Sequence, residues 1–534
     1  MGETAEGQDG DSADSAATTT TPTATATASS SATLEFDVID IAPDGDLLLD
    51  VTFETSPATL KAARKAAKPR PGQKTTPPTF KAKTRVGYRV QLAVLKQNSK
   101  YFDNLLSDTR FSEARSIEAS LQQLSLRNVK PSEADAADLP VVKILEDDEA
   151  TRSAGQDSTF ADLLRILHRK QSTSAASAKA VTMQYLAVLA VLADRFDCIG
   201  IVSRYLSALK YKWPATQTRL AREDGPALSL AAEETLRQKM LVAWLLDQPP
   251  KLHTAARELI MYGSRRWSGS FEEGEDDENT PVAAWWDLPD DLEQELHHRR
   301  ASILSTIASI QQHFLALYTS RTRQCKLGYE SSASCDSYQL GEMVKFLCSK
   351  DLLFLTDFTF SSFPSPLSSS SPSSPSPSSS SPGVTDRIAT TDIGALLASL
   401  KQCPTYQIDK HHTNCGLRTR LLPIVEFVQA MLSSAAVSIS RTAWVRDREG
   451  TAWSFREQND GEYGDEERKE KGGREKKVFR FTRGMTTDQR FRYEGAMAAD
   501  RMARALFTAD EWDWTAEERD EGRGVEFGRW PVAR

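Results

Sequence analysis

The sequence predicts an α+β protein. A small sheet flanked by helices comes first, then a mainly α-helical region, with segments too polar to pack. Three observations carry this. Residues 88–106, YRVQLAVLKQNSKYFDNLL, run from an extended start into two short apolar helices. Residues 34–53 alternate apolar and polar positions about the turn Pro43-Asp44-Gly45, the pattern of a β-hairpin. Residues 361–382 hold fourteen Ser and six Pro, which cannot bury a core and read as a linker.

Composition sets the outer limits. The chain has 534 residues, enough for two to four domains at about 150 residues each. Hydrophobic residues make up 40%, below the usual range of about 45–50%, so part of the chain is expected to lie outside any core. The net charge of -8 gives no overall attraction to nucleic acid or to an anionic membrane. Six scattered cysteines are too few for a disulfide scaffold. The first residues have neither the basic nor the apolar region of a signal peptide, and the longest apolar runs are too short to span a bilayer. An intracellular protein of nucleus or cytoplasm with reduced thiols is expected.

In chain order, residues 1–33 lack Lys and Arg and read as a disordered Ser/Thr/Ala-rich tail. A domain over 34–209 follows, with insertions at 54–84 and 118–138. Most of the first insertion is part of a basic run, 61–85, with nine Lys or Arg, no acid and four prolines, which reads as an exposed loop. In residues 88–106, Leu95, Phe102, Leu105 and Leu106 share one helical face, and Ser99 is placed to cap the second helix. Such a strand and helix pair is a packing device, and it points to a domain that presents a surface to other proteins. Residues 141–145 (VVKIL) form a short strand before the acids 146–149. Phe160, Leu163, Leu164 and Leu167 have helical spacing, as do Leu186, Leu189, Ala193 and Phe196. Residues 210–350 form a helical extension, anchored by Trp213, Trp244, Trp267, Trp285 and Trp286. Residues 387–440 regain a helical pattern. Residues 441–534 form a charge-dense tail read as possible disorder, although five of the ten tryptophans fall there and argue that parts dock.

The order of these elements resembles the BTB/POZ domain, and the resemblance extends to the fungal type with a helical C-terminal extension. Gly45-Asp46-Leu47-Leu48-Leu49 looks like that family's first strand. Val94, Leu95, Ser99, Tyr101, Phe102, Leu105 and Leu106 match its core motif in spacing, and Phe111-Ser112-Glu113 matches the turn that follows. The resemblance implies a domain that dimerises through apolar helix faces and strand edges. In cullin-binding relatives the residues at Phe111 and Glu113 contact the ligase scaffold, so those two are the candidate partner-binding residues. The alternative is that Phe111 closes the domain's own core and Glu113 caps a turn. One departure matters: Gln91 and Leu92 stand where the family commonly has His followed by Arg or Lys, so its basic dimer-pocket residue is missing.

The partners implied are proteins: a second copy of the chain, or a cullin scaffold. Membrane binding is not expected. The basic run suits a nuclear-import signal better than nucleic-acid binding, because Phe80 is the one aromatic within it. No catalytic motif is present: no G-x-S-x-G, phosphate loop or H-E-x-x-H, and the acidic run 272–278 reads as solvated. No enzyme activity or cofactor is expected. Cys325, Cys335, Cys348, Cys403 and Cys415, with His411 and His412, are the one set with metal-binding chemistry. Cys325 and Cys335 are separated by nine residues, and Cys403 and Cys415 by eleven. Those gaps exceed the usual zinc spacings, so buried thiols acting as small hydrophobes are the favoured reading and no metal is assigned.

Overall fold

The structure, a computed structural model, describes residues 36–67, 80–170, 181–209, 213, 228–267, 282–358, 388–413, 415–454, 478–482, 485 and 496–517. The expected N-terminal tail, the Ser/Pro linker and the acidic run 272–278 lie outside the described residues.

Helices and a small mixed sheet make up an α+β fold. The sheet contains β1 (Asp37–Asp40), β2 (Leu47–Glu54), β3 (Lys83–Val90) and β4 (Val141–Asp147), in the order β1-β3-β2-β4. β2 runs antiparallel to β3 and parallel to β4, and β1 runs parallel to β3. The hairpin expected over 34–53 is therefore absent: β1 and β2 do not pair. The turn carries the chain across the end of β3 instead. Ile41 and Ala42 donate N–H groups to the Arg89 carbonyl at 3.1 and 3.0 Å, and Asp46 donates to Val90 at 3.1 Å. Gly45 permits this crossing, because a Cβ there would lie 2.7 Å from the Val90 carbonyl oxygen. β2 lies inside the sheet, with buried residues on both of its faces. Leu49, Val51 and Phe53 face the main helical core, while Leu48 meets Leu124, Ala134 and Leu139 on the other side.

Both insertions fold further than expected. The first contains helix α1 (Pro57–Ala66). Ser56 caps it by accepting the Thr59 N–H, Pro57 opens it, and Arg64 and Lys65 sit in its last turn, where cations complement the helix dipole. Its start is tied to the acidic turn: Ser56 donates its hydroxyl to Asp148 at 2.9 Å and its N–H at 3.1 Å. The run ends as the first residues of β3, where Lys83 pairs with Glu54 and Arg85 grips Asp50 with two hydrogen bonds of 2.7 and 2.6 Å. Residues 68–79 lie outside the described residues. The second insertion is largely helix. After α2 (Leu92–Asn98) and α3 (Lys100–Ser107) comes α4 (Ser112–Leu126), which buries Ala114, Ile117 and Leu124. That spacing is helical, but a polar-rich composition masks it.

The motif residues hold this unit together. Leu95, Phe102 and Leu106 are buried, Val94 and Leu105 half-buried. Ser99 accepts the Phe102 N–H at 3.2 Å and donates to the Phe196 carbonyl at 2.6 Å, so one side chain caps α3 and ties it to a later helix. Phe102 stacks on Phe196 with ring centroids 5.3 Å apart, and Tyr101 meets both rings edge-on. Helices α5 (Gln156–Leu167), α6 (Met183–Arg195) and α7 (Ile199–Ala208) complete the layer. The break between α6 and α7 falls at Asp197, whose φ is 43°.

The helical region shares a wall with this core. Helix α8 (Leu230–Leu245) directs Leu241 and Val242 into the first core, and Leu236, Met240 and Trp244 into the second. Trp285 and Trp286 also belong to the first core. The two units thus bury surface against each other. The second core is built from α9 (Pro249–Tyr262), the long α10 (Leu292–Thr319), α11 (Ser332–Ser349), α12 (Ile393–Lys401) and α13 (Leu417–Leu432).

Part of the tail read as possible disorder packs onto this core. α14 (Arg441–Arg446), α15 (Arg448–Thr451), β5 (Val478–Thr482), α16 (Ala496–Phe507) and β6 (Glu511–Glu517) follow in order, and β5 pairs with β6. Trp444, Trp453 and Trp514 are buried. Arg299 on α10 pins the tail by donating to the carbonyls of Ser438 at 2.6 Å and Thr451 at 3.0 Å. Glu295 accepts the Trp453 N–H at 2.8 Å. The tryptophans pointed to this docking, but its place was not legible, because the stabilising contacts come from a helix some 150 residues earlier in the chain. Among the described residues no helix is long and apolar enough to cross a membrane.

Candidate functional site

The first unit presents an exposed face at the start of α4. Phe111 occupies the N-cap position, held by its N–H donating to the Asp108 carbonyl at 3.0 Å, and its ring is 44% exposed. The ring therefore does not close the domain's own core. Glu113 lies in the first turn of α4, half-buried, and accepts a hydrogen bond from the Ser112 hydroxyl at 2.9 Å. The neighbouring Tyr101 is itself partly exposed, and its hydroxyl feels the charges of Glu146, Arg195 and Glu113. Burial and those acids raise the Tyr101 pKa. An apolar knob, a carboxylate and a phenol on one rim have the chemistry of a protein contact.

β4 adds a second element. It is an outer strand of the sheet, hydrogen-bonded to β2 alone among the described strands. Its outward residues include Val141 and Leu145, and Leu145 is 59% exposed. An edge of this kind offers backbone groups to an added strand.

The buried face of β4 carries Glu146, paired with Arg195 at 3.2 Å. Burial pushes the Glu146 carboxyl up to about 7, against the opposing pull of Arg195. A carboxyl raised on folding stabilises fully below its unfolded value of 4.5 and loses that contribution as pH rises through 7. Glu146→Gln should therefore flatten the fall in melting temperature between those pH values. Parallel profiles for the two proteins would show that Glu146 ionises normally.

A groove beside this strand is lined by Phe53, Glu54, Phe80, Lys81, Glu146 and Asp157, among others. Among the described residues no histidine or cysteine lines it, and Glu54 and Glu146 are engaged by Lys83 and Arg195.

The cysteines separate into two kinds. Cys198 and Cys403 behave as small buried hydrophobes, their sulfurs resting on the carbonyls of Ala193 and Pro404 at 3.5 and 3.8 Å. Cys348 is exposed. Cys325, Cys335, His412 and Cys415 converge, with one ligand atom from each lying within 4.8 Å of every other. Cys325 and His412 are 4% and 0% exposed. Three of the thiols that the sequence reading kept as separate buried hydrophobes are thus brought together with His412. His411 stays outside the cluster and stacks on Tyr329, with centroids 4.8 Å apart.

Local structure explains each placement. Asp336 accepts the backbone N–H groups of Gln324 and Cys325 at 2.7 and 3.1 Å, folding the turn after α10 onto the first turn of α11, which carries Cys335. His412 and Cys415 lie in the turn before α13, where Cys415 donates its N–H to the His412 carbonyl at 3.4 Å. Asp409 meets His412 Nδ1 at 2.8 Å, leaving Nε2 toward the thiols and 3.3 Å from the Ser332 hydroxyl. Asp409 also receives hydrogen bonds from Ser331 and from the His411 N–H. Those bonds hold the Asp409 carboxyl well below its usual range, and Asp409 in turn raises the His412 pKa.

Burial raises the Cys325 thiol, but hydrogen bonds from Ser332, the Leu327 N–H, Cys415 and Cys335 outweigh it and bring the thiol down to about 7. Burial and the neighbouring sulfurs push Cys335 up to about 12. The short signal available in the sequence was His412-x-x-Cys415. Bracketing Cys415 with Cys403 hid it.

No protein-family model, curated protein or solved structure matches this chain.

Proposed function

We propose that this is a protein-interaction protein acting through its N-terminal BTB/POZ-like unit, by self-association or as a scaffold for another chain. The exposed Phe111 beside Glu113 carries the reading. Phe111 is 44% exposed, so covering it would recover part of the about 1.5–3 kcal/mol that full burial of such a side chain gives, and its exposure at a helix start favours a partner that covers it. Supporting it are the outer position of β4, the two short helices after β3, and α5 with α6.

Sedimentation of the full chain tests self-association. The full chain is the right object, because Leu241, Val242, Trp285 and Trp286 from the helical region help build the first core. A dimer below about 50 μM is expected, since a clean monomer there would mean association weaker than about -6 kcal/mol. Phe111→Ala with Glu113→Ala should shift the equilibrium toward monomer while the melting temperature holds.

Exposure of Phe111 also favours a second reading, an adaptor for a cullin-type ubiquitin ligase. The same double variant should then abolish cullin pull-down, and unchanged capture would refute that role. The nuclear reading of the basic run has less support, because Lys83 and Arg85 are paired within the sheet. Neutralising Lys68, Arg70 and Lys74 tests it more cleanly than deletion, which would remove the start of β3.

A further inference from the structure

We propose that Cys325, Cys335, His412 and Cys415 bind one zinc ion in a closed tetrahedral site that staples the turn after α10 to the turn before α13. Three thiols and an imidazole form a preferred zinc ligand set, and zinc is the first-row ion best suited to tetrahedral sulfur and nitrogen. The spacing fits. Zinc–sulfur bonds of about 2.3 Å and zinc–nitrogen bonds of about 2.0–2.1 Å put tetrahedral ligands about 3.5–3.8 Å apart. Cys325 and Cys415 Sγ are 3.7 Å apart, and all four ligand atoms fit within 4.8 Å. A disulfide would need about 2.05 Å between sulfurs, and the cysteines are free.

Independent features around the cluster point the same way. His412 directs Nδ1 to Asp409 at 2.8 Å, the carboxylate–histidine arrangement that orients a metal-bound imidazole through its other nitrogen. The Tyr318 hydroxyl is buried without a hydrogen-bond partner among the described residues and lies close enough to feel Cys335 and Cys415.

Four protein ligands leave no open position, so the ion would be structural. It would join two turns separated in sequence by a stretch that includes the Ser/Pro run 361–382. Cleavage or modification within that run would then leave the two turns joined. Binding exchanges protons for the ion: each thiol bound as thiolate gives up its proton, and the imidazole binds neutral.

The test uses the full chain, expressed with zinc and freed of loose metal by gel filtration. Elemental analysis should find about one zinc per chain. Cys335→Ala and His412→Ala should each lower that at least tenfold, while Cys348→Ala and Cys403→Ala should leave it unchanged. Growth in cobalt should give the visible bands of tetrahedral thiolate-bound cobalt. Because a ligand variant can fail to fold, Asp409→Asn provides a second measure. It keeps all four ligands and should weaken zinc about 10–100-fold in competition with a chromophoric chelator. A folded wild-type chain free of zinc, iron in place of zinc, or loss of two hydrogens in a Cys325–Cys415 disulfide would each overturn the assignment.

Discussion

Arg237→Ala should destabilise the protein by about 3–5 kcal/mol, the cost of leaving buried charge without its partner. Arg237 is fully buried on α8. Its guanidinium grips Glu293 with bonds of 2.8 and 2.7 Å, donates to Glu233 at 3.1 Å and to Ser264 at 2.7 Å, and lies over Trp286. Trp267 gives its indole N–H to the same Glu293 at 2.7 Å. Burial alone would raise the Glu293 carboxyl, but Arg237 outweighs it and holds the pKa down. Losing the cation leaves two carboxylates facing each other in an apolar interior.

The variant should melt far below wild type and become sensitive to protease at the α8–α10 contact. Arg237→Met combined with Glu233→Gln and Glu293→Gln should recover much of the loss, since the penalty comes from orphaned charge rather than lost attraction. If Arg237→Ala melts within a degree of wild type, the network is not closed to water. The position has wider consequence because α8 serves both cores. Arg237 touches Trp286 of the first core while pairing with Glu293 of the second, so its loss should loosen the two together.

Gly263→Ala should cost at least about 3 kcal/mol, from backbone strain and a clash acting together. Gly263 ends α9 with φ 81° and ψ -174°, a region that side chains do not tolerate. A Cβ would lie 2.0 Å from the Ala389 carbonyl oxygen and 2.9 Å from the guanidinium carbon of Arg300. Neither neighbour can yield. The Ala389 carbonyl accepts the Ser264 N–H at 3.1 Å. Arg300 is fully buried and donates to the carbonyls of Ile260 at 2.7 Å and Ile388 at 2.9 Å. Burial lowers the Arg300 pKa to about 9, so its charge rests on these acceptors and on Asp392 nearby.

Gly341→Ala is the contrasting case. A Cβ there meets nothing within 4 Å, inside α11, and should stabilise by about 0.5–1 kcal/mol. Thermal or urea unfolding of the two variants should therefore move in opposite directions. A neutral Gly263→Ala would mean that the segment carrying Ala389 shifts freely.

The sequence by itself determined those local elements whose caps and apolar spacing are strong. Ser99 caps the helix that its spacing implied, and Leu186, Leu189, Ala193 and Phe196 all reach the core that their period placed them in. These signals are short-range: a cap bonds three residues on, and a helical face repeats within two turns. Tertiary structure alone decided whatever depends on distant chain segments meeting. It put β3 between β1 and β2, docked the tail on Arg299 and Glu295, left Phe111 in solvent, and drew Cys325 and Cys335 to His412 and Cys415. Strand order and ligand convergence follow from which buried surfaces fit together. A one-dimensional pattern of apolar and polar residues does not encode that choice, because the same periodicity is satisfied whichever partner covers the face.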